Sequence, residues 1–575
     1  MIRVTGNIAD FINKNLLPFH LINSVKSPGP KVRYYRGSGM KDNIPSVISS
    51  VLNDLLSLLD SGRYSPSDIF ILAPSVKDGK VSKQTYVNQL ANLLLEHGYP
   101  YFAPAKEDIE IDQTMMDGKV VLSTFHQSKG LERKVVVVTC FCQDYYEFYA
   151  RDDKRLVCSN TLYVATTRAI EQLILIGESS GGGQLPFLRN LVSSDHLEII
   201  EVGKLMSKKK ADEYKEKFKN VTVTNLIKFL PESVYSSILS VLKSTIVRKA
   251  STGVNLKGQI ITVSNHVEDV SELNGVALPA MFEARKTNNV STIQKYCQDQ
   301  FYEATNIYPT QQYYKQLLKE VEHEPDPFNI TAFLRMSAIY NFASSGFNSK
   351  ALQIKNYNWI STDAAEVIME RLSENLRGES MYEIPIEINQ IWNGQNLTIT
   401  GRIDAVTNSD TIWELKCVNQ IQDDHLLQLA VYLWMSQRPI DEVVTGKELF
   451  GNKVYRNRLL NMRTNELIEI TSYYELDYVV GILIEHHLRG SQAEPDKEFL
   501  KNNEKIRSDY FSKKRSSSTN KSSTSPTNKS RNSPTNKSRN SPKNKSSTSP
   551  TSSTTTTSLL TSHIMSKCCL QHSIL

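Results

Sequence analysis

The stretch KVVLSTFHQSKGLERKVVVVTC, residues 119–140, holds two apolar runs, KVVLSTF and KVVVVTC, joined by a short polar loop. Neither run alternates apolar with polar residues. Strands of that kind are buried on both faces, as in a parallel sheet covered by helices. Outward from this pair, KVRYYRG (31–37), DIFILAP (68–74) and QLILIGE (172–178) read as further strands. IADFINKNLL (8–17), IPSVISSVLNDLLSLLDSG (44–62), YVNQLANLLLEHG (86–98) and TLYVATTRAIE (161–171) read as helices, with Gly62 and Gly98 as closing residues. The first 178 residues therefore predict an α/β domain with a parallel sheet.

The chain has 575 residues, 40% hydrophobic and 22% charged, with a mean hydropathy of −0.35. Such a length predicts two to four domains (about 100–200 residues each). No run of 18 apolar residues is present, so no membrane span is expected, and the polar N-terminus lacks a secretory signal. Seven cysteines without CxxC spacing fit a reducing, intracellular compartment; nucleus and cytoplasm are not distinguished, although Lys513-Lys514-Arg515 is a candidate nuclear address. The formal charge of +6 is uneven: Phe511–Leu575 carries eleven Lys/Arg and no Asp/Glu, leaving the rest at about −5. This tail repeats SPTNKSRN from Ser525 and Ser533 and predicts disorder. It either attracts nucleic acid through its charge or acts as a spacer. Gly181-Gly182-Gly183 mark the end of the first domain, 179–275 reads as a connecting region with a charged helical stretch MSKKKADEYKEKFKN, and 276–500 reads as a second, mixed α/β domain.

Within the first domain, STFHQSKGLE (123–132) and LYVATTRA (162–169) resemble motifs V and VI of superfamily 1 helicases of the UvrD/Rep/RecB type, and Ile2-Arg3-Val4 resembles the end of motif IV. The resemblance implies the second RecA-like domain of such a helicase. It implies that Thr124 and His126 contact single-stranded DNA, that Glu132 holds the nucleotide sugar, and that Arg168 and Arg3 reach the nucleotide phosphates. The departure is as informative: no G-x-x-x-x-G-K-[ST] loop exists, since Gly79-Lys80 precedes Val81 and Gly446-Lys447 precedes Glu448. ATP is thus an expected cofactor only if a separate chain bearing the P-loop domain completes the site. Met1 falls where the second domain would begin, which predicts a split or truncated gene, and the unusual arrangement suggests a large DNA virus.

In the second domain, GRIDAVTNSDTIWELKC (401–417) reads as two strands about a TNSD turn. With Ser409 as midpoint, Asp404 and Glu414 become cross-strand neighbours, and Lys416 shares a face with Glu414 while Leu415 points into the core. Two hard oxygen ligands and an ammonium suit phosphodiester hydrolysis with Mg²⁺ or Mn²⁺. The helix DDHLLQLAVYLW follows, with Gln428 and Tyr432 one turn apart. The order G-x-x-D, E-x-K, Q-x-x-x-Y resembles the RecB-type branch of the PD-(D/E)XK nucleases, which implies a restriction-endonuclease-like fold and catalytic roles for Asp404, Glu414, Lys416, Gln428 and Tyr432. It also implies a further metal ligand upstream: Glu370, chosen from Glu366, Glu370 and Glu374, with Glu383 and Glu387 as alternatives. No four-cysteine pattern for an iron–sulfur cluster is present. The expected fold is a parallel-sheet RecA-like domain, a mixed α/β restriction-endonuclease-like domain and a disordered basic tail. The expected function is that of a DNA nuclease with a helicase-like domain, in replication, repair or recombination. The alternatives are a helicase/ATPase half that works only with its P-loop partner, and a non-catalytic DNA-binding remnant.

Overall fold

In the computed structural model the described residues are 4–489, apart from short stretches of which 204–218 is the longest. Arg3 and the basic tail lie outside them, as does most of the charged stretch MSKKKADEYKEKFKN.

The apolar runs form a seven-stranded sheet. Its strands are β1 (Val32–Arg36), β2 (Ile69–Ala73), β3 (Tyr101–Phe102), β4 (Val120–Thr124), β5 (Arg133–Val138), β6 (Ala169–Ile176) and β7 (Leu197–Glu201), in the spatial order β3-β4-β2-β5-β6-β1-β7. Every pairing is parallel. Alternate residues of one strand enter different cores. Phe70 and Leu72 pack with Ile8 and Phe11 of α1 (Gly6–Phe11) and with Leu162 and Ala165 of α4 (Asn160–Thr166). Ile69 and Ile71 pack with Val47 and Val51 of α2 (Ser46–Asp60) and with Leu90 and Leu94 of α3 (Tyr86–Glu96). Both faces are covered, which is why these strands show no alternation in the sequence.

Two readings of this region need correction. The helix expected over 161–171 ends at Thr166, and the strand expected from Gln172 begins at Ala169. Thr166 and Thr167 turn their hydroxyls back to the carbonyls of Tyr163 and Val164, and the Arg168 carbonyl accepts from the Arg133 N–H, so the sheet captures the chain one turn early. The stretch read as connecting is also structured, since it supplies β7 to the first sheet and two strands, β8 (Lys219–Thr222) and β9 (Ser244–Arg248), to the second.

The second sheet has eight strands. The others are β10 (Ser380–Trp392), β11 (Gln395–Thr407), β12 (Thr411–Lys416), β13 (Val443–Thr445), β14 (Arg456–Asn461) and β15 (Glu466–Ile470), in the order β9-β15-β14-β12-β11-β10-β13, with β8 alongside β11. One face packs against α5 (Ser271–Thr287), α6 (Ile330–Ser345) and α7 (Thr362–Asn375); the other packs against α8 (Asp423–Ser436) and α9 (Leu476–Arg489). The chain is thus α/β in both halves, parallel in the first and mixed in the second. Among the described residues no helix is long and apolar enough to cross a membrane.

The halves meet along a buried polar seam. Lys119, 1% exposed, approaches Glu268 at 2.6 Å, and the other oxygen of Glu268 lies 3.0 Å from Lys350. Gln353 donates to Glu268 and accepts from the Tyr101 N–H, while Asn92 donates to the Gly346 carbonyl. Burial alone would raise the Glu268 pKa, but Lys350 and Lys119 hold it below the usual value. Removing the shared carboxylate leaves the buried Lys119 and half-buried Lys350 ammonium groups with only backbone carbonyls as partners. Glu268→Ala is expected to destabilise the protein by about 3–5 kcal/mol, and thermal denaturation at neutral pH measures it; an unchanged midpoint would show that the seam bears little of the stability.

Candidate active site

The turn of the β11–β12 hairpin places Asn408 and Ser409 at φ of 51° and 52°. Two successive left-handed residues give a turn whose twist matches the strands it joins. The register follows: Thr407 pairs with Thr411, Val406 with Ile412 and Ala405 with Trp413. One step further, Asp404 faces Glu414, as the Ser409 midpoint predicts. There the ladder opens, and Asp404 Oδ2 accepts a 2.7 Å hydrogen bond from the Leu415 N–H.

The same rung is disturbed on the other side. β10 pairs with β11 through Tyr382↔Ala405 and Ile384↔Ile403, and the intervening Glu383 and Asp404 are not bridged. Glu383 has φ 52°, a backbone conformation uncommon for a residue with a side chain. Residues two apart on a regular strand share a face. Here Ile384 and Ile403 lie in the core beneath α8 and α9, whereas Tyr382 and Ala405 lie in the opposite core. Both strands therefore turn over at this rung. Glu383, Asp404 and Glu414, from three adjacent strands, sit in a row at the turnover.

Glu414 is 1% exposed. Its Oε1 lies 2.5 Å from Lys416 Nζ, and that ammonium also donates to Gln428 Oε1 at 3.0 Å. Glu414 Oε2 is buried and has no hydrogen-bond partner. Gln428 lies on α8 one turn before Tyr432. The Tyr432 ring lies so close over Gly401 that a Cβ there would come within 2.4 Å of it, and its hydroxyl accepts from the Arg402 N–H at 3.4 Å. The glycine of G-x-x-D and the tyrosine of Q-x-x-x-Y are thus two sides of one close contact. Glu383 meets Arg402 at 2.5 Å.

Burial pushes Glu414 up to about 8, Asp404 adding to the shift and Lys416 opposing it. Glu383 is raised to about 7 by burial and by Asp404 and Glu283, against Arg402. Burial also raises Asp404, and Lys416 opposes it. Lys416 is held above its ordinary value by Glu414 and Asp404 although burial pulls it down. Carboxylates that repel one another and leave one oxygen unsatisfied fit a divalent cation. No group of three or more His, Cys, Asp or Glu side chains among the described residues is placed to hold a metal ion, but Mg²⁺ commonly takes one or two carboxylates and keeps several waters.

The structure brings Asp404, Glu414, Lys416, Gln428 and Tyr432 together. Glu370 stands apart: it is exposed on α7 and enters the electrostatics of none of the three rung carboxylates. Glu383 occupies the place beside Asp404. Sequence reasoning missed Glu283, 7% exposed on α5, which accepts from Thr292 and raises the Glu383 pKa. Its helix shows no distinguishing motif.

In the first domain, Thr124 ends β4 and accepts from the Gln127 N–H, and His126 stands exposed at the tip of the following turn. Arg168 lies at the α4–β6 junction, donating to the carbonyls of Val164 at 2.9 Å and Leu131 at 3.4 Å and to the Thr167 hydroxyl at 3.1 Å. Burial lowers its pKa, and exposed Glu132 opposes that shift. The two helicase-like motifs are therefore joined at Leu131-Glu132 and Arg168.

Comparison with known proteins matches both regions. Residues 75–180 match the family model of the UvrD-like helicase C-terminal domain, and residues 365–453 match that of the PD-(D/E)XK nuclease superfamily. Among solved structures, the C-terminal domain of a possible DNA helicase from Lactobacillus plantarum WCFS1 is 19% identical over 34% of this chain and 97% of that one, with a TM-score of 0.23. A search of curated proteins finds no match.

The raised carboxyl pKa values fix the sign of a pH dependence. A carboxyl whose folded pKa lies above its unfolded value binds more protons when folded, so its contribution falls as pH rises from the unfolded value, near 4.5, through about 8 for Glu414. The metal-free protein is expected to lose stability over that range. Stabilisation by Mn²⁺, which needs the deprotonated carboxylates, should grow over the same range. Melting curves at pH 5.5, 7 and 8.5 with and without Mn²⁺ test this, and an increment independent of pH would remove the rung from metal binding.

Proposed function

We propose that the protein is a metal-dependent DNA nuclease of helicase–nuclease type, acting in DNA replication, repair or recombination. The observation that carries this reading is the strand turnover that gathers Glu383, Asp404 and Glu414 beside Lys416. Asp404 and the free Oε2 of Glu414 would hold Mg²⁺ or Mn²⁺. When bound, such an ion supplies Lewis acidity and lowers the pKa of a ligated water.

The chain's own groups do the rest. Gln428 and Glu414 fix Lys416 Nζ, so the ammonium is already in place when charge develops on a phosphate oxygen. Tyr432 holds α8 against β11 through Gly401 and thereby sets the distance of Gln428 from Lys416. Lys416→Ala should lower kcat for DNA cleavage about 10²–10³-fold, and Gln428→Ala about 10–100-fold. Asp404→Ala should abolish cleavage. Digestion of single- and double-stranded DNA with Mg²⁺ or Mn²⁺ measures all three, and equal rates for wild type and Asp404→Ala would refute the reading.

A second reading is favoured by the joined motifs of the first domain. Glu132 and Arg168 would form half of a nucleotide site, completed by a separate chain carrying the P-loop, with Thr124 and His126 towards DNA. Mixing this protein with such a chain should yield DNA-stimulated ATP turnover that falls about 10³-fold or more in Arg168→Ala. Turnover unaffected by that substitution would place Arg168 outside the site.

A further inference from the structure

Arg402, the second residue of G-x-x-D, has no part in the chemistry above. It stands two residues before Asp404 on β11, at the rung where the strand turns over. Its side chain is 44% exposed, while that of its ion-pair partner Glu383 is 17% exposed. The Nε atom faces Glu383 Oε2 at 2.5 Å, and the guanidinium lies over the Tyr340 ring, 5.4 Å from its centroid. Tyr340 is braced in turn by Tyr296, their centroids 5.4 Å apart at 62°. The side chain is therefore held from behind by a carboxylate and an aromatic face. Arg402 nevertheless keeps 44% of its side-chain surface open to solvent.

Lys416 has the opposite setting. Its side chain is 19% exposed, and its ammonium is taken up by Glu414 and Gln428. Of the two cations beside the carboxylates, one is mostly interior and already committed, and the other is anchored but 44% exposed. A planar guanidinium with its orientation fixed and its side chain partly exposed is suited to two-pronged contact with a phosphate.

We propose that Arg402 seats a backbone phosphate of the DNA strand near the phosphate that is cut. This assignment rests on the nuclease reading for which phosphate is cut, but the contact itself is a binding property. Glu383 then has a positioning role: it fixes the guanidinium through Nε and is kept at the rung by its left-handed backbone.

The test is equilibrium binding of single-stranded oligonucleotides to the full chain in Mn²⁺, in a Lys416→Ala background. One phosphate at a time is replaced by a neutral methylphosphonate. One position should weaken binding by about tenfold or more when neutralised, as expected for a lost hydrogen bond to a charged group. In Arg402→Gln that position should become indifferent, while Arg402→Lys should retain part of the effect. If Arg402→Gln keeps the full penalty at that position, the proposal is overturned, even if its melting temperature falls through loss of the Glu383 pair. Absence of oligonucleotide binding by the Lys416→Ala protein overturns it as well. Normal position-dependent binding combined with no cleavage by wild type in any divalent metal would refute the nuclease reading alone.

Discussion

Carboxylates do not share a water-poor site unless something compensates them, and the second domain is organised around that constraint. Three acidic side chains meet where β10 and β11 turn over. Two cations answer them, Lys416 from within and Arg402 from the rim. Every neighbouring element contributes to keeping this arrangement: α8 supplies Gln428 and Tyr432, α6 supplies Tyr340, and the tight hairpin at Asn408-Ser409 sets the register that makes Asp404 and Glu414 opposite numbers. The balance is incomplete, since Glu414 retains a buried oxygen without a partner. That residual deficit is the strongest structural argument for a cation.

The turnover also explains why the ladder breaks where it does. A regular strand pair would send Asp404 to one face and leave its backbone bridged on both sides. Instead, the Asp404 carboxylate takes the Leu415 N–H, and the left-handed conformation of Glu383 absorbs the change of face. The cost of that backbone conformation is of the order of 1 kcal/mol or more. The flanking pairs Tyr382–Ala405 and Ile384–Ile403, each buried in its own core, hold the kink in place.

Much of this was legible in the residues. Unbroken apolar runs at 69–73, 120–124 and 135–138 announced a sheet covered on both faces, and the spacing about Ser409 placed Asp404 against Glu414. What was not legible has physical causes. Thr166-Thr167-Arg168 continues a helical pattern until the carbonyl of Arg168 is captured by a neighbouring strand, a tertiary event. The strands at 197–201, 219–222 and 244–248 are short and partly polar, and they are strands because a sheet edge is waiting for them. Glu370 looked like a ligand because it lies on a helix upstream of the strands. Nothing in its surroundings announced that α7 would turn it towards solvent, or that Glu383, hidden inside an alternating strand, would stand beside Asp404.

The polar seam between the halves carries one more consequence. A greasy interface can slide, because one apolar contact replaces another at little cost. An interface built on Lys119, Glu268 and Lys350 has no such freedom, since a shift of a few ångströms would strand a buried charge. The motif-bearing turn at His126 and the acidic rung at Asp404 are thereby kept at a constant offset.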